Sequence, residues 1–447
     1  MRRVITYGTF DMLHRGHVRL LERARALGDY LIVGVTSDDF DRARGKVNVS
    51  QPLPERMEAV RATGLADEVV VEEYEGQKID DVRRYGVDVF AIGSDWRGRF
   101  DYLREWCEVV YLDRTEGISS TRVRSESGRL RLAVVGGGAA AAKYAAQAAR
   151  VDGLELAGCL PLGAEAPAGV PILPSLGEAL SSADAVALLS EPSGRPLLAA
   201  EALRAGVHVL CEPPVALSEG EYDSLRSLAD GRGLVLFEGL KTAHSTAYNR
   251  LVLMVRGGEV GDVVSVDATC TSLRPGELSG AGAWGSFEEW GPVALLPVLQ
   301  ILGTDWRSRR FASAAAPGGR DAFTRLELAY PSAVASVTVA KGAKSEGNLV
   351  VSGTEGYVWV PAPWWKTDYF EIRREDPNEN RRFFWQLEGE GILEELVSFK
   401  RACLGGYSAG GVDPRVSRAV AGLVGDFQSG RGVFPLSGAG SLEDESK

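Results

Sequence analysis

The chain is short of positive charge, of long apolar runs, of histidine and of paired cysteines, and each shortage excludes something. Its 50 basic side chains face 61 acidic ones, for a formal charge of −11. A long nucleic acid or an anionic membrane calls for a basic face, so neither is expected as a partner. Small anions stay open, because a pocket needs only a few local cations. No apolar run reaches the ~18 residues of a membrane span. The opening MRRVITYGTFD turns polar after a few apolar residues, unlike a secretory leader. The five cysteines, Cys107, Cys159, Cys211, Cys270 and Cys403, are widely spaced and contain no CxxC pair. That argues against a disulfide framework and against a zinc site. A cytoplasmic, thiol-reduced protein is expected. There are only four histidines, and two of them, His14 and His17, sit three residues apart.

What is present is a soluble globular composition long enough for two or three compact units. VITY (4–7), YLIVGVT (30–36), EVVVEE (68–73), VDVFAIG (87–93) and CEVVYL (107–112) read as strands rich in β-branched residues. Between the first two, Leu20, Leu21, Ala24 and Leu27 form one helical stripe, with Gly28 placed as its C-terminal stop. Strands alternating with helices predict βαβ units and a buried parallel sheet. After the polar joint SESGRLR, a second α/β segment runs through LRLAVVGGG, ELAGCL, ADAVALLS, VHVLCE and GLVLFEG. From about Val263 the pattern becomes alternating strands joined by turns without intervening helices, which predicts a largely antiparallel sheet. Helices return at Ile392–Leu404 and Pro414–Gln428. The expected domains are 1–127, 128–247 and 248–435, with a frayed tail at 436–447.

GTFDMLHRGH (8–17) follows the first strand and enters the first helix. Such a loop aims backbone N–H groups and a helix N-terminus at an anion. His14 and His17 can turn toward one phosphate, with Gly16 letting it approach the backbone; the alternative is a pair of incidental caps. RTEGISSTRVR (114–124) follows the last strand at the same sheet edge. It offers the planar fork of Arg114 and a turn of small and hydroxyl residues. Two anion sites on one edge suit a triphosphate.

With GSDW (93–96), these segments resemble the HxGH nucleotidyltransferases, specifically the glycerol-3-phosphate cytidylyltransferases, over roughly the first 127 residues. The resemblance implies that CTP and glycerol 3-phosphate, or a related polyol phosphate, become CDP-glycerol and pyrophosphate, with Mg²⁺ accompanying CTP. CDP-glycerol commonly feeds surface glycopolymers. By the same resemblance His14, His17, Lys46 and Arg114 are catalytic. Thr9, Phe10, Asp11, Arg44, Lys78, Asp95, Trp96, Thr115, Glu116, Gly117, Ile118, Ser119, Ser120 and Thr121 would bind substrate. Arg44 departs from the lysine often found there. Asp11 and Asp38 are candidates for Mg²⁺ or polar ligand groups, Asp38 equally for loop solvation, and Trp96 equally for core packing.

In AVVGGGAAAAKYAA, Gly136, Gly138 and Ala141 fit the spacing of a dinucleotide-binding turn. With GVHVLCEPP and RGGEVGDVVSVDATC, the region 128–435 resembles the Gfo/Idh/MocA oxidoreductases, which brings NAD(P) into consideration. The departures lie in the chemistry. Pro213 stands where the family has lysine, Val293 for its histidine and Leu296 for its aspartate. None of these can donate a proton. Leu160 replaces the acidic residue that would hold the adenosine ribose, which weighs against NAD(P). Lys241 and His244 lie near the expected cleft as substitutes, though a surface role is favoured for both, and His208 is expected to pack within its strand. Two readings result: an assembly or binding module without turnover, which is favoured, or an active oxidoreductase acting on the polyol phosphate. Both families commonly form dimers, so a homo-oligomer is expected.

Overall fold

The computed structural model describes residues 1–44, 46, 49, 51, 53–74, 76–113, 128–278, 283–385, 387, 389–404 and 412–436. The chain divides into two compact units, residues 1–129 and, for the most part, 130–447.

The first unit is a five-stranded sheet of β1 (Arg3–Gly8), β2 (Tyr30–Thr36), β3 (Glu68–Glu72), β4 (Val89–Gly93) and β5 (Glu108–Leu112), ordered β3-β2-β1-β4-β5 and parallel throughout. Successive side chains of each strand enter two different cores. Val4, Leu31, Val33 and Val89 pack on one face, and Ile5, Tyr7, Ile32 and Phe90 on the other. Burial on both faces explains why these strands read as continuous apolar runs. Helices α1 (Arg15–Arg25), α2 (Asp38–Ala43), α3 (Leu53–Ala62) and α4 (Gln77–Tyr85) lie between the strands in sequence. The α1 stripe is used as expected, with Leu21 and Ala24 buried. Gly28 is not a helix stop. Helix α1 ends on Ala26 in ordinary helical geometry. A Cβ at Gly28 would instead meet the Arg2 carbonyl oxygen at 2.5 Å and Val4 at 2.7 Å, so glycine is there to let the chain pass β1.

The second unit holds two sheets. β6 (Leu130–Val135), β7 (Leu154–Leu160), β8 (Ala185–Leu188), β9 (His208–Cys211) and β10 (Leu236–Glu238) form a parallel sheet ordered β10-β9-β8-β6-β7. Its helices are α5 (Gly138–Ala148), α6 (Leu176–Ser182), α7 (Arg195–Arg204) and α8 (Glu219–Asp230). After α9 (Thr246–Arg256) comes a nine-stranded, largely antiparallel sheet. Its strands are β11 (Val263–Thr271), β12 (Ser308–Ala315), β13 (Asp321–Ala329), β14 (Val334–Ala340), β15 (Leu349–Gly353), β16 (Tyr357–Val360), β17 (Tyr369–Arg373), β18 (Arg381–Phe384) and β19 (Val433–Pro435). Two pairings, β11 with β14 and β12 with β19, are parallel.

The expectation of strands without an intervening helix is corrected here. Helix α10 (Ser286–Leu302) sits between β11 and β12, despite Pro292 and Pro297 in its interior. Its N-terminus is held by Asp321 of β13, which accepts the Phe287 N–H at 2.8 Å, and by Glu288, which accepts the Gly285 N–H at 3.0 Å. Phe287, Ala294, Leu295, Leu296, Val298 and Leu299 are buried against the sheet, and that burial outweighs the missing backbone donors. Helices α11 (Ile392–Cys403) and α12 (Pro414–Gln428) complete the unit.

Candidate functional site

In the first unit, chain order reverses between β1 and β4, so a crevice opens beyond Gly8 and Gly93 at the carboxyl edge. The loop leaving β1 turns through Phe10 (φ 52°) and Met12 (φ 46°), both left-handed. Non-glycine residues in that region cost roughly 1–3 kcal/mol each and gather at functional sites. The turn is held from below and from the side. The Phe10 ring is buried in the core, the Met12 N–H donates to Gln51 Oε1, and the Gln51 N–H donates to buried Asp11, both at 2.8 Å.

This turn delivers His14 as the N-cap of α1. Its Nδ1 accepts the Gly16 N–H at 3.1 Å. An accepting nitrogen carries no proton, so neutral His14 keeps its hydrogen on Nε2 as a donor. The His17 ring stacks on His14 with centroids 3.9 Å apart and planes 15° from parallel, and Phe10 meets His17 edge-on at 5.4 Å. Two imidazoles stand side by side at a helix N-terminus, where unpaired N–H groups and the dipole favour an anion.

Around them runs a polar chain. Lys46 Nζ donates to Thr9 Oγ1 at 2.9 Å, and Thr9 Oγ1 donates to Asp41 at 2.8 Å. Burial pushes the Asp41 carboxyl up to about 6, against the pull of Lys46, Thr9 and Arg56. Arg44 lies over the rings of Phe40 and Trp96, at 5.2 and 5.6 Å, and 3.9 Å from Glu72. Lys78 is buried, bonded to the same Glu72 and facing the Tyr7 ring at 4.7 Å. Half-buried Trp96 packs on Phe100 at 5.8 Å, and Asp95 beside it is exposed. The expected residues thus form three groups, Phe10–His14–His17, Lys46–Thr9 and Trp96–Arg44 with Lys78, the second extended by Asp41 and the third joined by Glu72, neither of which was expected. Arg114, Thr115, Glu116, Gly117, Ile118, Ser119, Ser120 and Thr121 lie outside the described residues.

Sequence reasoning missed Arg56. Its guanidinium is fully buried. It donates to the carbonyls of Gln51 (2.9 Å), Thr9 (2.6 Å) and Thr36 (2.9 Å) and to Asp38 (2.6 Å), and it lies 3.5 Å from Asp41. It therefore fixes the ends of β1 and β2 together. The available signal was an arginine one turn before Val60, a buried residue of the same helix. Asp11 and Asp38 accept protein N–H groups. Among the described residues no cluster of three acidic, histidine or cysteine side chains could hold a metal.

In the second unit, a cavity of about 1000 Å³ opens beyond the carboxyl ends of β8, β9 and β10 and is closed on its other side by residues that follow β11, β14 and β16. Pro213 and Val293 line it, and Leu296 is buried away from it. Lys241 lines the cavity and His244 is buried against Phe237 at 5.2 Å, so neither has the surface role expected of it. His208 accepts the Val235 N–H at 3.0 Å through Nδ1, a bond between neighbouring strand segments. Beneath the wall at Gly239, burial pushes Glu395 up to about 7, and Tyr144 donates to it at 2.6 Å.

With this geometry described, comparison with known proteins divides the chain at the same place. Residues 5–126 match the family described as cytidylyltransferase-like, and residues 130–240 match an oxidoreductase family with an NAD-binding Rossmann fold. A glycerol-3-phosphate cytidylyltransferase of Bacillus spizizenii is 46% identical over 130 residues, which are 29% of this chain and 100% of the relative. That of Staphylococcus aureus is 48% identical over 126 residues, 28% of this chain and 95% of the relative. A 3-ketoreductase of Actinomadura kijaniata, solved with NADP, superposes on 69% of this chain and 100% of its own, with a TM-score of 0.58 and 18% identity. At that identity the match establishes the fold of the second unit.

Proposed function

Because the chain belongs, through its first unit, to the glycerol-3-phosphate cytidylyltransferases, with a Gfo/Idh/MocA oxidoreductase-like region fused behind, we propose that it transfers the cytidylyl group of CTP to glycerol 3-phosphate or a related polyol phosphate. The observation that carries this is the stacked His14–His17 pair at the start of α1, with His14 held in one tautomer by its own cap. A phosphate oxygen of the acceptor attacks the α-phosphorus of CTP in line. The bond from that phosphorus to the bridging oxygen breaks, and pyrophosphate leaves with the electron pair. No nucleophilic side chain is needed; the work is holding two polyanions together and stabilising charge on the equatorial and leaving oxygens. His14 Nε2 and the α1 N-terminus supply donors, and Lys46, oriented by Thr9, supplies a cation. Arg114 and the loop to Thr121 are assigned the same task by resemblance alone. Mg²⁺ would supply further neutralisation on the triphosphate, held by phosphate oxygens because Asp11 and Asp38 already serve protein donors.

The test is pyrophosphate release from a panel of nucleoside triphosphates and phosphorylated polyols. CTP with glycerol 3-phosphate should lead the panel. His14→Ala and His17→Ala should each lower kcat by about 10²–10³, the usual cost of one preorganised donor, with the fold intact. Near-normal turnover in either folded variant would contradict the reading. For the second unit, Pro213 and Val293 on the cavity wall support the absence of dehydrogenase turnover.

A further inference from the structure

The glycine turn of the second unit already has an occupant. In a dinucleotide-binding turn the N–H groups at the helix start, and the bare face of the glycines, are open to a pyrophosphate. Here the Gly138 N–H donates to the Glu165 carbonyl and the Gly136 N–H to the Leu160 carbonyl, both at 2.8 Å. A Cβ placed on Gly137 would meet Ala164 Cβ at 2.7 Å, the Pro161 oxygen at 2.8 Å and the Glu165 oxygen at 2.9 Å. The chain at 161–165 therefore lies against Gly137 and takes the Gly138 N–H with a carbonyl oxygen that repels an anion, although a Cβ on Gly138 itself would meet nothing within 4 Å. The glycines keep a backbone purpose regardless: Gly136 (φ 138°) and Gly138 (φ 65°) adopt conformations that side chains rarely take. Further along α5, Lys143 is bonded to Glu390, which also holds Lys366. The residues present do not fit NAD(P).

The cavity, in contrast, is open and electrostatically unfinished. Glu390 serves Lys143 and Lys366, Glu289 serves Lys341, and Glu212 serves Arg195. Glu277 serves Arg274 and Lys341, whereas among the described residues Lys241 and Lys344 make no ion pair within 4 Å; Lys241 acts on buried Glu395 only through space, and Lys344 reaches the Thr271 carbonyl at 3.1 Å. Two donors on the wall, the Ser190 hydroxyl and the Trp290 indole N–H, are buried without a partner among those residues. Trp290 and Trp365 meet edge to face at 5.2 Å, and Trp284 lines the same space. Surplus cations call for phosphate, indole walls for a planar or apolar group, and orphan donors for oxygen atoms; Arg274 already covers one side of Trp290 at 5.6 Å and Arg320 one side of Trp284 at 5.9 Å. The volume is that of a drug-sized ligand and far exceeds a three-carbon phosphate.

We infer that the second unit is a cofactor-free binding module whose cavity takes a nucleoside diphosphate-alcohol, the class of product assigned to the first unit. The ligand class rests on the cytidylyl-transfer reading; the exclusion of NAD(P) does not. The test is calorimetric titration of the full chain with CDP-glycerol, NADH and NADPH. CDP-glycerol should show two binding events, one lost in His17→Ala and the other weakened at least about tenfold in both Lys241→Glu and Trp290→Phe. Neither dinucleotide should bind. If Lys241→Glu and Trp290→Phe, both shown folded by circular dichroism, leave every CDP-glycerol event unchanged, the cavity assignment is overturned. Saturable binding of NADH or NADPH overturns the closed turn. An event sensitive to Lys241→Glu without one sensitive to His17→Ala supports the module while counting against the transferase reading.

Discussion

Arg56 shows how much one side chain can carry when its charge is buried. Removing a guanidinium from water costs several kcal/mol and is tolerated only where its N–H groups find acceptors in good geometry. Three carbonyls and Asp38 take four of its five N–H groups, with Asp41 3.5 Å away, and the carbonyls come from the loop after β1, the end of β2 and the segment entering α3. Arg56→Met should therefore cost about 3–5 kcal/mol in urea unfolding of the first unit, by leaving three carbonyls without their buried donor and Asp38 without its cation. Arg56→Lys should recover little, because an ammonium cannot span the same acceptors. A lysine variant of full stability would show that charge alone, without the fork, is what the site uses. The only local sign was its place one turn before Val60. The acceptors lie 5 to 47 residues away along the chain, and a charged residue in a helix ordinarily reads as solvent-facing.

At the scale of elements, Gly28 and helix α10 were misread for opposite reasons. A glycine directly after a helical stripe has the position of a C-terminal stop, yet its role is set by the Arg2 carbonyl, just before β1, lying 2.5 Å from where a Cβ would be. The two roles predict different mutants. If Gly28 were needed for a left-handed turn, asparagine would be tolerated better than alanine. With a steric cause, Gly28→Asn should be no better than Gly28→Ala, each losing roughly 1–3 kcal/mol in thermal or urea unfolding; a clear rescue by asparagine would restore the helix-stop reading. In α10, two prolines weakened the helical signal, because each removes a donor and crowds the preceding turn. The helix stands because its apolar side chains cover the nine-stranded sheet and residues of β13 and its own first turn cap its start. Most other elements were legible, because β-branched runs and the 3.6-residue stripe are properties of neighbouring residues.

For the whole molecule, the first unit has its own two-sided core, and relatives of the same length stand as complete proteins. Residues 1–127 expressed alone should therefore fold and release pyrophosphate with a kcat near that of the full chain, measured with CTP and glycerol 3-phosphate. A folded but inactive 1–127 would mean that the second unit is required for turnover. The sequence by itself determined the order of α/β segments, the histidine pair three apart at a helix start, and the non-ionisable side chains of Pro213, Val293 and Leu296. These depend on residue identity and short spacing, which a linear reading retains. Only the tertiary structure decided that His14 caps the helix it begins, that Glu165 occupies the glycine turn, and which cavity cations are already paired. Each of those turns on atoms brought within about 3 Å from separate segments, and charge balance in a cavity depends on partners that spacing along the chain does not reveal.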